Sequence, residues 1–287
     1  MWQASTMTPI TRVSLPIAMK LLWLALLLPM SQSAHAWGNV GHRVTGLIAS
    51  GMLTPKTRQQ VQQLLGEETL ATATTDMDTQ RTSLRERWPT SDQWHYDNQP
   101  VCGAAHSYCA DGNCATRQIE HFRGVLASKR TSQAERALAL RLLIHMLGDI
   151  HQPLHMGDNA DRGGNNLYVR LYAGGERYRL HELLDTVLLK DIMAGQRVEN
   201  YAAQLQQRYK NKLREWQKGE LREWAQQTHE LATTHTYGLL PGFACRTDNT
   251  QTITLSAAYV QDARNYLPEQ LTKAGARIAA VLNATLN

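Results

Sequence analysis

Histidine and aspartate residues at helical spacing mark the part of this sequence that is suited to chemistry. Within "ERALALRLLIHMLGDIHQPLH", residues 135–155, an apolar stripe ends in His145 and Asp149 on one helical face. Pro153 disfavours helical backbone at the preceding residue, so the chain turns there and His155 can return to the same face. Imidazole and carboxylate groups that converge at a helix end suit a metal site, in which Asp149 is able to bridge two ions.

The same pairing recurs in "LHELLDT", where His181 and Asp185 are again four residues apart. A single His-x-x-x-Asp pair is more often a structural hydrogen bond than a pair of metal ligands, but the recurrence favours ligation. Two further candidate ligands, Asp78 in "TTDMDTQR" and His95 in "QWHYDN", lie in stretches that resemble loops. These residues are too many for one zinc ion, which usually takes four ligands.

The N-terminal residues 1–36 have the composition of an export signal. They contain two basic residues and no acidic residue, an apolar block "LLWLALLL", and a final "AHA". The alternative, a membrane anchor, is disfavoured because a bilayer span needs roughly 20 apolar residues. Cleavage after Ala36 would expose the α-amine of Trp37, and a free α-amine has a pKa near 8.

A freed Trp37 would complete the set of metal ligands. Its amine and carbonyl form a chelate, and His42 follows about one helical turn later. The candidate ligands would then suffice for three zinc ions; they are Trp37, His42, Asp78, His95, His145, Asp149, His155, His181 and Asp185.

The net charge and the cysteines narrow the class of protein. The formal net charge of +5 falls by two when the signal leaves, which is too small to indicate a nucleic-acid-binding surface. An even number of cysteines in an exported chain predicts two disulfides, with three connectivities available. Cys109 and Cys114 enclose the turn-rich "ADGN" and are predicted to pair, which leaves Cys102 for Cys245. A zinc site at the cysteines lacks the paired C-x-x-C pattern.

Residues 37–287 are predicted to form a single, mainly α-helical domain with a small β-hairpin. The hairpin is expected at 163–180, where apolar and polar residues alternate between glycine-containing turns. The stretch 70–118 is predicted to be mostly loop, and Pro268 is predicted to begin or kink part of the last helix. Helices are predicted near 41–52, 55–66, 132–152, 180–191 and 255–284, and a pair of polar amphipathic helices is predicted over about 198–235.

Taken together, these motifs resemble the S1/P1 nuclease family over the whole of the mature chain. The resemblance rests on "WGNVGH" from Trp37 to His42, on Asp78 and His95, and on the two His-x-x-x-Asp pairs with the intervening "QPLH". It implies a helical fold, shared with zinc phospholipase C, and three Zn²⁺ ions. One ion would be held by Asp78, His95, His145 and Asp149; the second by His155, His181 and Asp185; the third by Trp37, His42 and Asp149.

The resemblance also implies an activity. Members cut single-stranded DNA and RNA to 5′-mononucleotides, and many also remove a 3′-phosphate from nucleotides. Zinc lowers the pKa of water to about 7, which makes a nucleophile available for attack on phosphorus. Asp78 would orient that water or take its proton, and Arg81 matches a family arginine that offsets charge in the transition state.

Base recognition is predicted for an asparagine in each of two loops. Asn165 in "GGNN" matches a family asparagine that binds a nucleobase, although Gly-Gly-Asn is also ordinary turn chemistry. In "HYDN", either Asp97 or Asn98 matches the aspartate that closes this motif in the family. Asn98 is the residue predicted to bind substrate. The remaining histidines of the mature chain are predicted to be structural or exposed; they are His106, His121, His151, His229 and His235.

Two other functions are less well supported by these residues. Zinc-dependent phospholipase C ends its pattern in His-x-x-x-Glu and has a longer gap after the tryptophan, whereas this chain has Asp185 and a gap of five residues. A binding protein without catalysis would be expected to lack a ligand such as Asp78 or Asp149. The predicted protein is therefore a monomeric nuclease, either periplasmic or secreted, without a membrane anchor after cleavage.

Overall fold

The computed structural model describes residues 37–103, 109, 111–245 and 251–287, together with Met1. The predicted export signal, apart from Met1, and His106 lie outside the described residues. Ala34–Asn287 forms one compact unit, and its described part is mainly helical, as predicted. The helices are α1 (Gly38–Gly51), α2 (Pro55–Leu65), α3 (Leu70–Ala73), α4 (Asp76–Thr79), α5 (Arg81–Arg87), α6 (Ala115–Ala127), α7 (Gln133–Asp149), α8 (Pro153–Met156), α9 (Leu180–Glu182), α10 (Leu188–Met193), α11 (Val198–Arg208), α12 (Leu213–Trp216), α13 (Leu221–Leu231) and α14 (Ala257–Leu286).

Helix α7 is the central element of the fold. Its first turn is closed by a capping box, in which Ser132 and Glu135 each bind the backbone of the other. Apart from the half-buried Arg141, every residue from Ala139 to Asp149 is buried, so the second half of α7 is enclosed by other helices. A helix that is apolar all round is expected to be buried in this way, and its last turn therefore places His145 and Asp149 in the interior.

The long C-terminal helix α14 packs across α1. A Cβ atom at Gly275 would lie 2.5 Å from the Cβ of Ile48, so the two helices approach more closely there than another residue would permit. Pro268 was predicted to begin or kink a helix; it lies inside α14, which begins eleven residues earlier, at Ala257. Leu267 and Leu271 are fully buried on either side of it, and this packing compensates for the missing amide donor.

The strands are short and belong to two small sheets. The predicted hairpin is present, since β3 (Tyr168–Arg170) pairs antiparallel with β4 (Tyr178–Arg179). A strand that was not predicted, β5 (Ile253–Thr254), adds parallel to β3. The second sheet joins β1 (Gln99–Pro100) to β2 (Gly157–Asp158) in parallel. This pairing holds the segment that follows His95 beside the segment that follows His155.

The prediction that 70–118 is mostly loop was wrong. This stretch contains α3, α4, α5, a 3₁₀ helix at Ser91–His95 and the first residues of α6. The helices of this stretch that precede α6 are too short to show a periodic pattern, and the packing of their buried residues stabilises them. In α3 a cap adds to this packing, since Thr69 accepts a hydrogen bond from the amide of Thr72.

Both predicted disulfides are present. Cys102 is bonded to Cys245, with the Cα atoms 5.8 Å apart, and Cys109 is bonded to Cys114, with the Cα atoms 5.4 Å apart. Among the described residues, the helices are too short or too polar to cross a membrane.

Candidate metal centre

Three groups of histidine and aspartate side chains converge in the interior of the protein. Within each group the candidate ligand atoms lie within 4.8 Å of one another. Every predicted ligand except Trp37 belongs to one of them. The groups are His42, Asp78 and His145; His95, His145 and Asp149; and His155, His181 and Asp185.

Asp149 belongs to the second group and also contacts His42 of the first. Its Oδ1 lies 3.2 Å from Nε2 of His42, and its Oδ2 lies 2.9 Å from Nδ1 of His95 and 3.3 Å from Nε2 of His145. The imidazoles of His42 and His145 stack with their centroids 3.9 Å apart. Asp78 approaches the same place from α4, with its Oδ1 3.9 Å from Nε2 of His145. Both oxygens of Asp149 thus face imidazole nitrogens, as a bridging ligand requires.

The third group lies where α8 and α9 meet. Nε2 of His181 is 3.0 Å from Oδ2 of Asp185 and 3.2 Å from Nε2 of His155. A five-residue π-helical segment, Leu183–Val187, carries Asp185. Such wide turns are frequent at functional sites, and here the wide turn lies within the helix that was predicted over 180–191.

Backbone carbonyl groups orient three of the imidazoles. Nδ1 of His145 donates to the carbonyl of Thr74 at 2.7 Å, Nδ1 of His155 to that of His95 at 2.6 Å, and Nδ1 of His181 to that of Gly163 at 2.6 Å. Because a carbonyl can only accept, these bonds place the proton on Nδ1 whenever the ring is neutral, and the lone pair of Nε2 then points into the group. This is the usual arrangement of metal-binding histidines.

Several buried polar atoms in these groups have no hydrogen-bond partner among the described residues. They include both ring nitrogens of His42, Oδ1 of Asp149 and Oδ2 of Asp185. Buried polar atoms are normally satisfied, and leaving one without a partner costs about 1–3 kcal/mol. Lone pairs that face one another at about 3 Å without hydrogen-bond geometry are what a bound cation would satisfy. The residues present therefore fit a metal ion.

The electrostatics of His145 and Asp149 favour a charged pair in the absence of metal. Burial disfavours the imidazolium of His145, but the charges of Asp149 and Asp78 outweigh burial and raise its pKa to about 9. Burial likewise opposes the ionised form of Asp149, yet the three surrounding histidines hold its pKa well below the usual range. A metal ion that binds here would displace the proton of His145.

The pKa values of three further imidazoles are shifted in different directions. Burial lowers the pKa of His42 and lowers that of His155 to about 4, so both are neutral near pH 7 and ready to bind a cation. The pKa of His181 is raised, because the charge of Asp185 outweighs its burial. In each His-x-x-x-Asp pair the charge of the aspartate thus raises the pKa of the histidine.

Trp37 packs beside these groups. It is fully buried, and its Nε1 donates to the carbonyl of Gly148 at 2.9 Å, next to Asp149. Its own carbonyl accepts from the amide of Gly41 at 3.1 Å, since α1 begins at Gly38, three residues before the predicted start. In the full-length chain the nitrogen of Trp37 belongs to a peptide bond. Its role as an amine ligand thus depends on cleavage and stays a prediction.

Arg81 is held by an aspartate that sequence reasoning did not single out. Its Nε donates to Oδ1 of Asp92 at 2.6 Å, while Nε of Arg85 donates to Oδ2 of the same carboxylate at 2.6 Å. These bonds orient the guanidinium group of Arg81 at the start of α5, about one turn after Asp78.

The two candidates in "HYDN" occupy different environments. The carboxylate of Asp97 is buried and accepts both the amide and the hydroxyl of Thr116, at 3.0 and 2.7 Å, so it anchors the start of α6. Asn98 has a positive φ of 46° and lines a small cavity with Tyr96 and Asp158. Asp97 is thus a structural residue, and Asn98 stays the candidate for substrate binding.

Asn165 lies in the loop that supports His181. Its Nδ2 donates to the carbonyl of Arg162 at 2.9 Å, which is the turn chemistry that was the alternative for this residue. Gly163 in the same loop has a φ of 59°, and a Cβ atom there would collide with the carbonyl of Leu154. The glycine therefore allows the loop to bring its carbonyl to His181.

The remaining described histidines lie apart from the three groups, as predicted. His151 donates to Leu147 and accepts from Arg277, and His229 donates to the carbonyl of Met156. His235 pairs with Asp262 near the surface, and His121 packs edge-on against the ring of Phe122. A functional contact that was missed is Gln152, which binds Asp185. The position of Gln152 between the candidate ligands Asp149 and His155 in "DIHQPLH" was the sequence feature that could have indicated this contact.

Comparison with known proteins identifies the family. The family model described as S1/P1 Nuclease matches residues 37–287. The chain belongs to the S1/P1 nuclease family. It is therefore related to enzymes that hydrolyse phosphoester bonds in nucleic acids.

Three relatives indicate the degree of similarity. The chain is 30% identical to Nuclease S1 of Aspergillus oryzae over 60% of its own length and 61% of that protein. It is 24% identical to Endonuclease 5 of Arabidopsis thaliana over 91% of its length and 95% of that protein. It is 28% identical to Nuclease P1 of Penicillium citrinum over 60% of its length and 66% of that protein. The alignment thus spans less than two thirds of the two fungal relatives and almost all of the plant relative.

Proposed function

We propose that this member of the S1/P1 nuclease family is an exported, zinc-dependent enzyme that hydrolyses single-stranded DNA and RNA to 5′-mononucleotides. We further propose that it removes the 3′-phosphate from nucleotides. The observation that carries the proposal is the convergence of three His/Asp groups whose buried lone pairs face one another. Imidazole nitrogen and carboxylate oxygen are both ligands that zinc accepts.

Three zinc ions account for all of the candidate ligands. The two proposed ligand sets that contain Asp149 would share its carboxylate, because Oδ1 faces His42 and Oδ2 faces His95 and His145. The third group would hold an ion of its own. The proposed ligand sets are Asp78, His95, His145 and Asp149; Trp37, His42 and Asp149; and His155, His181 and Asp185.

The proposed chemistry is attack of water on phosphorus. When bound, zinc supplies a nucleophile from water near neutral pH and positive charge for the phosphate oxygens. Asp78 is the candidate to orient the attacking water and accept its proton, because its carboxylate reaches His145 from α4, whereas Asp149 is carried by α7. The guanidinium of Arg81, oriented by Asp92, would stabilise charge that develops on the phosphate.

Substrate binding is proposed at the two loops beside the third group. Asn98 and Asn165 carry amides that can bind the edge of a nucleobase. The two loops are adjacent, since a Cβ atom at Gly163 would lie 3.4 Å from Oδ1 of Asn98. A base held there would place its phosphate near His155 and His181.

Export and processing are also part of the proposal. Two disulfides are typical of proteins outside the reducing cytosol. Removal of residues 1–36 would create the Trp37 amine that the ion proposed for Trp37, His42 and Asp149 needs. We propose a monomer in the periplasm or outside the cell.

The test is hydrolysis by zinc-loaded protein that begins at Trp37. Single-stranded DNA, single-stranded RNA, duplex DNA and a 3′-nucleotide are incubated separately, and the products are identified by chromatography. We expect 5′-mononucleotides and free phosphate, loss of both after chelation, and recovery on addition of zinc. Hydrolysis of phosphatidylcholine without release of nucleotides would instead indicate a phospholipase and contradict the proposal.

A pair of aspartate variants tests the assigned chemistry. Asp78→Asn is expected to lower kcat by about 10²–10⁴-fold, the usual contribution of a general acid–base group. The control is Asp262→Asn, which alters the His235–Asp262 pair near the surface. Equal activity of both variants would remove Asp78 from the mechanism.

A further inference from the structure

The two aspartates of the His-x-x-x-Asp pairs differ in what their second oxygen contacts. Asp149 and Asp185 are both almost completely buried, and each lies four residues after a histidine. Both oxygens of Asp149 face imidazole nitrogens, at 3.2 Å for Oδ1 and 2.9 Å for the closer contact of Oδ2. Only Oδ2 of Asp185 faces an imidazole, that of His181 at 3.0 Å.

The other oxygen of Asp185 is bound by an amide. Nε2 of Gln152 donates a hydrogen bond to Oδ1 of Asp185. Oδ2 has no hydrogen-bond partner among the described side chains and backbone groups. One oxygen is therefore satisfied by the protein, and the other is left with its lone pairs directed towards His181.

The hydrogen bonds of Gln152 fix the orientation of its side-chain amide, with Nε2 directed at Asp185. Its side chain is fully buried, and its Oε1 accepts from the amide of Leu154 at 2.5 Å. This contact caps α8, which begins at Pro153. Exchanging the oxygen and nitrogen of the amide would place oxygen against the carboxylate and NH₂ against the N–H of Leu154.

We infer that Gln152 is a positioning residue that restricts Asp185 to binding one ion through one oxygen. The inference rests on the proposed zinc sites. Because Oδ1 of Asp185 accepts the hydrogen bond of Gln152, its lone pairs are not directed at a second ion. Asp185 therefore does not bridge two ions. Asp149 has no such amide on either oxygen among its described contacts, and it is the carboxylate that can bridge. The side-chain amide thereby assigns different roles to two aspartates in similar sequence contexts.

Hydrogen bonds to a ligating carboxylate also affect metal affinity. Losing such a partner typically weakens metal binding 10–100-fold. Removal of the Gln152 amide should therefore weaken the ion held by His155, His181 and Asp185 by about 10–100-fold. The ions held around Asp149 should be retained.

The test is zinc stoichiometry in Gln152→Glu and Gln152→Ala. Glutamate keeps an oxygen that can accept from Leu154 but replaces the donor that faces Asp185, whereas alanine removes both contacts. The matched control is Gln118→Glu, since Gln118 donates to the carbonyl of Gly112 and caps a loop elsewhere. Zinc per chain is measured by mass spectrometry after dialysis against a graded series of chelator concentrations, and folding is checked by circular dichroism.

We expect both Gln152 variants to lose one zinc per chain at a chelator concentration that leaves wild type and Gln118→Glu fully loaded. Should the alanine variant fail to fold, the glutamate variant carries the test alone. Wild-type stoichiometry and affinity in a folded Gln152→Glu would overturn the inference and leave the nuclease proposal standing. Absence of bound zinc in the wild type would overturn the zinc proposal itself and this inference with it.

Discussion

Replacing Asp149 by asparagine in metal-free protein should change stability by an amount that depends strongly on pH. Asp149 is the main source of the charge that outweighs burial and raises the pKa of His145 from 6.5 to about 9. At 1.36 kcal/mol per pH unit, that difference corresponds to about 3 kcal/mol of stabilisation by the protonated imidazole. Asp78 supplies part of this stabilisation, so we expect the unfolding free energy of the Asp149→Asn variant to fall by about 2 kcal/mol.

The sign of the pH dependence follows from the direction of the change in pKa. A raised pKa stabilises the folded state fully below the unfolded value of 6.5, and this contribution is lost as the pH rises through about 9. The decrease in unfolding free energy caused by Asp149→Asn should therefore have its full size at pH 6 and be small above pH 9. Above pH 9 the variant can even be the more stable protein, because it no longer buries a carboxylate beside neutral imidazoles.

The assay is urea unfolding followed by circular dichroism, in the presence of chelator, at pH 6 and at pH 9.5. The control is Asp262→Asn, whose partner His235 lies partly exposed, and it should change stability by less than about 1 kcal/mol at either pH. A loss of the same size at both pH values for Asp149→Asn would refute the reasoning, because it would show that the proton on His145 contributes nothing.

Two further predictions concern the N-terminus and the disulfides. Protein that begins at Trp37 should bind three zinc ions and cleave single-stranded DNA, whereas protein with one extra residue before Trp37 should bind one fewer; equal zinc content would exclude the amine as a ligand. Replacing Cys102 and Cys245 by serine should destabilise the fold by about 5 kcal/mol, because that bond closes a loop of 143 residues. The same change at Cys109 and Cys114, five residues apart, should cost about 2 kcal/mol, and thermal melts that rank the two pairs in the opposite order would contradict this account.

Local features of the site were predictable because helical periodicity is a short-range property. His145 and Asp149 share a face of α7 for the reason that their spacing indicated, and His181 and Asp185 do so across α9 and the π-helical segment. The turn after Asp149 was also predictable from the sequence, because a proline disfavours helical backbone at the residue before it. In the structure Gln152 has extended backbone and Pro153 begins α8. The pairing of Cys109 with Cys114 followed from the short turn between them.

Features of the fold that depend on long-range contacts could not be predicted from local sequence patterns. The short helices that carry Asp78 and His95 depend on the burial of a few residues against other helices, so no periodic pattern revealed them. The strand β5 is two residues long, and its existence depends on the edge that β3 presents. Asp97 and Asn98 are neighbours in sequence, and only the contact with Thr116 distinguishes the structural residue from the candidate substrate ligand.

The sequence by itself determined the types of candidate ligand, their local spacing, and hence a candidate metal centre of histidines and aspartates in a helical protein. Only the tertiary structure showed what each carboxylate oxygen contacts. Asp149 and Asp185 have the same local pattern, yet only Asp185 meets the amide of Gln152. The difference arises because the partner of a carboxylate oxygen comes from another part of the chain, and helical spacing carries no information about which part that will be.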